Sequence, residues 1–559
     1  MKPLKSFIPL LLALAVIAVS PAHARPRDFP GRLPARTVAY VYWRGADSVV
    51  PGSRNPVVAL WNDPGFAPAR QLIERRLIDF VTSNPDLARV PPQEIEALLA
   101  RPLIFGLRLT EQAASPQSKS GATANARGFL VVQVGAQAAE ARAALSAVGP
   151  KAAAHMRLTP AGFLVASGDP ATLADLVRRF GGARALASRS LGGVPVYQEA
   201  RAELVGRPPI EFFLRIPAIA ALQPQKTAGF NTPAFLHALN VDRVHLLCGA
   251  VNLNAPSGLL SFSILGNTSP GSLFDLFGPN GRAFPTLAAA PARSISFSTY
   301  RLDVGSVMSV VVNALSAAMD PNTAARVKMF AGLISSAVVP SLAGEYASIR
   351  TGPAGRRDAG TALYAITIHP KAANQLFATT LAPFVQPAGE EGVIHYFRVV
   401  QRGPSGAPNA GKGFDQAGGK GAARRHHARP LFIALTPHLL LAGRNEALVR
   451  RRAQAVISSS PQPGLAAQPS FRAARAELPG ELSGLSYFDF ARIRWTNWLE
   501  HAAARMAKNK KDPHAAEHAA ALRKWAQEGG GAVLARHLHW LAVGSWKDSS
   551  GVHWRGNIH

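Results

Sequence analysis

His514-Ala515-Ala516-Glu517-His518 spells H-x-x-E-H, two histidines four residues apart with a glutamate between them. On a helix that spacing sets both imidazoles on one face, within reach of a single zinc ion, and leaves Glu517 as a general base for hydrolysis. A third protein ligand is expected well downstream, yet only 41 residues follow His518. The segment therefore reads first as a solvated helix face. A zinc-dependent hydrolase using His514, Glu517 and His518 is the alternative.

Other candidates are weaker in pattern. His426-His427 is a flexible pair without further ligands, which makes a poor metal site. Cys248 has His245 three residues before it, and on a regular strand those two side chains point to opposite faces, so a buried structural thiol is expected. No Gly-x-Ser-x-Gly elbow and no phosphate-binding G-x-x-x-x-G-K-[ST] loop occurs. No constellation reads as catalytic, and no cofactor is implied. Six of the eight tryptophans, Trp495, Trp498, Trp525, Trp540, Trp546 and Trp554, fall in the last 65 residues among Arg494, Lys524, Lys547 and Arg555. Large aromatics at alternate strand positions usually cover a core. The residues best placed to bind through aromatic and basic contacts are nevertheless Trp540, Trp546, Trp554, Lys547 and Arg555, with Arg424 and Arg425.

The elements that must position these residues occur twice. PVYQEARAELVG, from Pro195 to Gly206, returns as PSFRAARAELPG, from Pro469 to Gly480, with seven of twelve positions identical and no gap. PARTVAYVYWR from Pro34 lines up with PARSISFSTYR from Pro291, each an alternating apolar run that opens a first strand. LTPAGFLVASGDPATLADLVRR from Leu158 parallels LTPHLLLAGRNEALVRRR from Leu435. Both predict a hairpin running into a helix, capped by Asp169 with Pro170 in the first and by Asn445 in the second. Leu173, Leu176, Val177 and Phe180 then fall on one core-facing stripe. Each half closes on a long hairpin, Val244 to Gly266 in the first and His537 to His559 in the second, with His245 lying against His539.

A repeated unit covering nearly the whole chain follows. The division is a leader at 1–24, an extension at 25–33, a first α+β repeat at 34–290 and a second at 291–559. Each repeat is expected to be a mainly antiparallel sheet with helices packed on one face, the two forming tandem domains. The second repeat carries two insertions. Residues 401–429 are glycine-rich and basic, with Asp415 the lone acid, and read as a disordered loop. Residues 495–531 read as a helical hairpin whose second helix starts at Asp512-Pro513 and stops at Gly529-Gly530-Gly531.

PARTVAYVYW and FRAARAELPGELSGLSYFDFARI resemble a bacterial family of exported proteins of unknown function built on a duplicated α+β unit. The resemblance implies export and the repeated architecture and brings no activity, cofactor or catalytic residue. In H-x-x-E-H alone the chain is similar to the inverzincin peptidases.

Lys2 and Lys5, the apolar run Phe7 to Val19 and Ala22-His23-Ala24 read as a secretory signal cleaved after Ala24. No later stretch reads as a transmembrane helix, since the run from Val307 to Met319 is short and contains Asn313. One cysteine among 559 residues leaves no internal disulfide, so the core rests on packing. The formal net charge of +28 attracts anionic polymers. Its arginines are scattered rather than stacked, and no specific nucleic acid is indicated. The expectation is a periplasmic or secreted, envelope-associated protein that binds or scaffolds without catalysis. Its partners would be anionic envelope polymers or another envelope protein.

Overall fold

In the computed structural model the described residues are 29–50, 52–82, 100–111, 124–135, 153–182, 190–204, 206–220, 230–352, 362–400, 430–458, 463–509 and 514–559, with 93, 97, 138, 139, 141 and 142. The leader at 1–24 and the basic loop at 401–429, with Arg424, Arg425, His426 and His427, lie outside them, as does the Asp512-Pro513 start.

The described residues form eighteen strands. They are β1 (Thr37–Arg44), β2 (Pro102–Glu111), β3 (Ala124–Gln133), β4 (Met156–Leu158), β5 (Phe163–Ser167), β6 (Ile210–Arg215), β7 (Val244–Val251), β8 (Gly258–Gly266), β9 (Ser296–Arg301), β10 (Leu342–Arg350), β11 (Ala362–Ile368), β12 (Val385–Glu391), β13 (Ile394–Val399), β14 (Phe432–Leu435), β15 (Leu439–Gly443), β16 (Gly484–Asp489), β17 (Trp540–Lys547) and β18 (Gly551–Ile558). Their helices are α1 (Pro56–Asn62), α2 (Ala67–Thr82), α3 (Pro170–Phe180), α4 (Pro195–Glu203), α5 (Ile216–Ala220), α6 (Thr232–Ala238), α7 (Val304–Ala318), α8 (Pro321–Ala337), α9 (Pro370–Ala378), α10 (Glu446–Ile457), α11 (Pro469–Ala476), α12 (Trp495–Met506), α13 (Ala515–Trp525) and α14 (Gly531–His537).

Every strand pair is antiparallel, and the pairs join all eighteen strands into one sheet. Outward from the middle the first stretch runs β8-β7-β6-β1-β2-β3-β5-β4. The other side runs β18-β17-β16-β9-β10-β11-β15-β14 and then β13-β12. The two sides meet where β18 pairs with β8, from Gly551 against Leu265 to Asn557 against Gly258. The molecule is α+β, and the expected pair of tandem domains is one sheet, because the closing hairpin of each stretch offers its free edge to the other. Gly551 is required at this seam, since a Cβ there would collide with the Ile264 carbonyl.

Helices cover both faces rather than one. In β1 the run TVAYVYW is buried at every position, which marks a strand shielded on both sides. Tyr40 and Tyr42 pack on the first face with Leu173, Leu176 and Phe180 of α3 and Tyr197 and Ala200 of α4. Val41 and Trp43 pack on the second face with Val58 of α1. Burying a side chain the size of Leu176 or Phe180 contributes roughly 1.5–3 kcal/mol. Across the seam, Ala434 meets Val449 and Ala453 of α10 on the first face. Ile433 meets Ala373 and Phe377 of α9 on the second.

The local signals are where the sequence puts them. The Asp169 carboxylate accepts from the Thr172 N–H at 2.8 Å and caps α3. Asn445 accepts from the Leu448 N–H at 3.1 Å and caps α10. Both ARAEL segments form helices with proline in the first turn, burying Tyr197 and Ala200 in α4 and Phe471 and Ala474 in α11. The three-glycine stop is a π turn, Ala526–Gly530, in which only Gly529 is left-handed, at φ 101°. The chain then resumes as α14. Gly530 and Gly531 serve close packing instead, since a Cβ would strike the Trp525 ring in one and Thr496 in the other.

Helices α12–α14 also cross the seam. Leu499, Trp525, Val533 and Leu534 pack against Leu60, Trp61, Phe66 and Ala69 of the first stretch. The Trp525 indole N–H donates to the Gly65 carbonyl at 2.9 Å. Arg536 and His537 both reach the Asp63 carboxylate, at 2.8 and 2.7 Å.

Candidate functional site at the seam

The H-x-x-E-H residues do not converge. His514 precedes α13 and lies half-exposed, with Nδ1 3.7 Å from the Glu517 carboxylate. Glu517 is itself engaged by Arg75 at 3.1 Å. His518 points inward, buried, with Nε2 3.5 Å from Asp79. Among the described residues no three His, Cys, Asp or Glu side chains come together as a metal would need. Cys248 is fully buried among the first-face residues. Burial first, then the carboxylates of Glu203 and Glu199, push its thiol up to about 12, so it is no nucleophile at neutral pH. His245 sits at a register irregularity in β7 and pairs with Glu199 at 2.8 Å rather than with Cys248.

The C-terminal tryptophans are dispersed, because strand alternation and the helical segment send them to different layers. Trp495 and Trp525 are core of the seam-crossing helices, and Trp498 lies beside Trp495 and partly exposed. Trp540 belongs to the first-face core, and Trp546, farther along the same strand, packs against the edge of that core. Trp554 faces the other way, against Phe262 at 5.1 Å and Phe277 at 5.5 Å. Arg555 is exposed opposite Gly544. Of the described residues in that set, Lys547 and Trp554 line adjoining hollows.

Those hollows belong to a trough on the β18 side of the seam. Three hollows of about 620, 550 and 200 Å³ adjoin one another. Arg301 and Leu302 line the first and third, Pro279 and Asp303 the first and second, and Phe277 the second and third. The smallest hollow has aromatic walls from Phe277, Tyr300 and Trp554 over a floor that includes Gly484, Ser486 and Ser545. Small floor residues keep it open, since a Cβ on Gly484 would press on the Ser545 hydroxyl. Tyr300 is half-exposed at 49%.

The other two hollows are polar. Four carboxylates line them, Asp275, Asp303, Glu345 and Asp548, against the cations Arg301 and Lys547. Glu345 is buried, accepting from the Thr286 N–H at 2.8 Å and its hydroxyl at 2.6 Å, with Arg301 at 3.5 Å. Asp303 is held below the usual carboxylate range by hydrogen bonds from Ser306, whose helix it caps. Lys547 donates to the Phe274 carbonyl at 3.0 Å. The trough is therefore net acidic in a strongly basic chain.

Behind it, on the first face, lies an ionic knot that no motif or spacing announces. His553 of β18 is buried and stacked on Trp546 at 5.3 Å. Its Nδ1 lies 3.2 Å from Glu203 and 3.0 Å from the Ser263 hydroxyl, and its Nε2 lies 3.1 Å from Asp548 and 3.2 Å from the Ser550 hydroxyl. Ser550 donates to Asp548 at 2.6 Å and Ser263 to Glu203 at 3.1 Å. Burial alone would push the imidazole pKa down, but the bonds to Glu203 and Asp548 outweigh it, and the net shift is upward. A ring with a carboxylate at each nitrogen is a held cation rather than a base that could activate Ser550. Its work is to tie α4 and β8 to β18. No family model, no curated protein and no solved structure matches this chain.

Proposed function

We propose that this chain is an exported, non-catalytic binding protein of the cell envelope, and that the seam trough is its ligand seat. The mirrored strand order about β8 and β18 supports descent from a duplicated α+β unit, with the ligand seat created where the copies join. A cleft between packed halves is a favoured place for ligands.

The observation that carries the reading is the trough itself. Aromatic walls beside serine hydroxyls, continued by carboxylates and Lys547, match a hydroxyl-rich chain that stacks its C–H faces on rings and hydrogen-bonds its edges. Three linked hollows suit an oligomer better than a compact metabolite. Their acidic lining favours a neutral glycan segment over the polyanion that composition alone suggests. The basic surface outside the trough would still associate with anionic envelope polymers in a salt-dependent way. The hydrolase reading has no comparable support, because Glu517 is bound to Arg75 and His518 is buried against Asp79.

The test is a fluorescence titration of the processed chain with neutral and anionic glycan fractions prepared from isolated envelopes. The neutral fraction should give a saturable change that Trp554→Ala weakens at least tenfold. No saturable response to the neutral fraction, or one indifferent to Trp554→Ala, refutes the trough as the seat.

A further inference from the structure

Two helices rooted in the trough wall pack on each other: α7 is also covered by α6 and buries Val310, Ala314 and Ala318, whereas the described residues leave the outer face of α8 bare. α7 begins beside Asp303, and α8 ends just before Val339, both of which line the largest hollow. Along the 17 residues of α8 only Ala331 is buried. Met329, Phe330 and Leu333 are exposed by 67%, 65% and 62%, the three most exposed large apolar side chains among the described residues. Positions 329, 330 and 333 share one helical face. A soluble helix turns such a face inward.

Charge decides what covers it. α7 carries no charged residue, and the only charges in α8 are Arg326 and Lys328, both exposed cations. Arg326 lies one turn before Met329 and Phe330, so its guanidinium can reach past the apolar face to an anionic layer. A second copy of the chain fits poorly. It would bring another +28 against the first. The three side chains, roughly two-thirds of 150–250 Å² each, also offer about half of the ~800 Å² per partner that stable interfaces bury. At about 1.5 Å per residue α8 is roughly 25 Å long, and no helix of the described residues is long and apolar enough to cross a membrane.

We infer that α8 is an interfacial anchor that lies in the surface of an anionic lipid bilayer, with Met329, Phe330 and Leu333 among the acyl chains and Arg326 and Lys328 at the phosphates. This is the amphipathic in-plane mode, in which apolar burial and electrostatic attraction add. It goes beyond the ligand seat proposed above and places that seat close to the membrane surface. The two ideas fail separately, since Trp554→Ala should leave vesicle binding intact.

The experiment is co-sedimentation of the processed chain with vesicles of pure phosphatidylcholine and of phosphatidylcholine with phosphatidylglycerol. Binding should require the anionic lipid and weaken as salt rises. The variant M329S/F330S/L333S should lose at least tenfold in partitioning. R326Q/K328Q should lose about fivefold per cation removed, on phosphatidylglycerol vesicles only. All five side chains are exposed, so circular dichroism and melting should match the parent and exclude misfolding. Undiminished vesicle binding by the triple serine variant overturns the inference. So does a dimer in sedimentation velocity that the same variant dissolves while vesicle binding stays unchanged, since a second copy would then cover the face.

Discussion

Replacing His553 by glutamine keeps the volume and one N–H donor but removes the cation between Glu203 and Asp548. A hydrogen bond between charged partners contributes about 1.5–3 kcal/mol when sheltered. Here Asp548 is 48% exposed and Glu203 29%, so screening reduces the pair of bonds to about 2 kcal/mol. The pH dependence has a definite sign. The folded imidazole pKa is raised, so its contribution is complete below the ordinary histidine value near 6.5 and is lost as pH climbs through the folded value. Glu203 and Asp548 are lowered, so their share is present above the ordinary carboxylate range and disappears as pH falls through their folded values. The knot is strongest in mildly acidic solution. Unfolding entropy of about 2.1 cal/mol/K per residue, over 559 residues, turns 2 kcal/mol into only about 2 °C of melting temperature. Hydrogen exchange is the sharper assay, because the same energy spent on local opening is roughly a 30-fold loss of protection. At pH 5.5 the amides of Gly258–Gly266 and Gly551–Ile558 should exchange faster in His553→Gln by about that factor, and the gap should narrow as pH rises through the raised imidazole value. Equal protection in parent and variant at pH 5.5, or a gap that does not shrink as pH rises, refutes the reasoning.

Two other perturbations probe the core. Glu211 is fully buried and holds Arg44 at 3.1 Å, Arg201 at 2.7 Å and the Tyr40 hydroxyl at 3.3 Å. Glu211→Gln leaves two guanidiniums without a counter-charge and should cost about 3–5 kcal/mol, read as a lowered urea midpoint. Cys248, with its thiol raised to about 12 by burial and the nearby carboxylates, should resist a thiol-specific disulfide reagent at pH 8 in the native protein and react completely in denaturant. Stoichiometric labelling of the folded chain would contradict its place in the core.

What could be read from sequence was local. Asp169-Pro170 and Asn445 announce their helices because a cap and its N–H donor lie within three residues of one another. The first strand was harder: TVAYVYW passes for an alternating run, yet Val41 and Trp43 are as buried as Tyr40 and Tyr42, because helices close both faces of β1. The glycines at 529–531 read as a stop, but only one has a left-handed backbone. The tryptophans looked like a cluster by position in the chain, and the pleat of β17 and β18 sends Trp546 and Trp554 to opposite faces. The site was invisible for a topological reason. Ser263 and His553 stand 290 residues apart, and nothing within either segment specifies that β8 and β18 will pair. Tyr300 of β9 reaches Trp554 only across β16 and β17, through Gly484 and Ser545, and Phe277 joins from outside the strands, so no spacing rule could have gathered them.

The charge of the chain also divides in a way that composition conceals. A net +28 invites a polyanion into whatever cleft the protein has, but the trough holds twice as many carboxylates as cations. The excess lies elsewhere on the molecule, where it creates a field toward anionic surfaces and is screened beyond about 8 Å at physiological salt. Under the proposed function, attraction to the envelope and occupation of the trough would be separate events with separate salt responses. Envelope association of the parent should fall steeply across a salt series, because each phosphate contact releases counterions. Neutral-glycan binding measured in the same series should stay nearly flat, because stacking on Trp554 and hydrogen bonds inside the trough displace no ions. If glycan binding fell with the same slope as envelope association, the ligand would be anionic and held by the outer basic surface. The acidic trough would then have lost its claim to it.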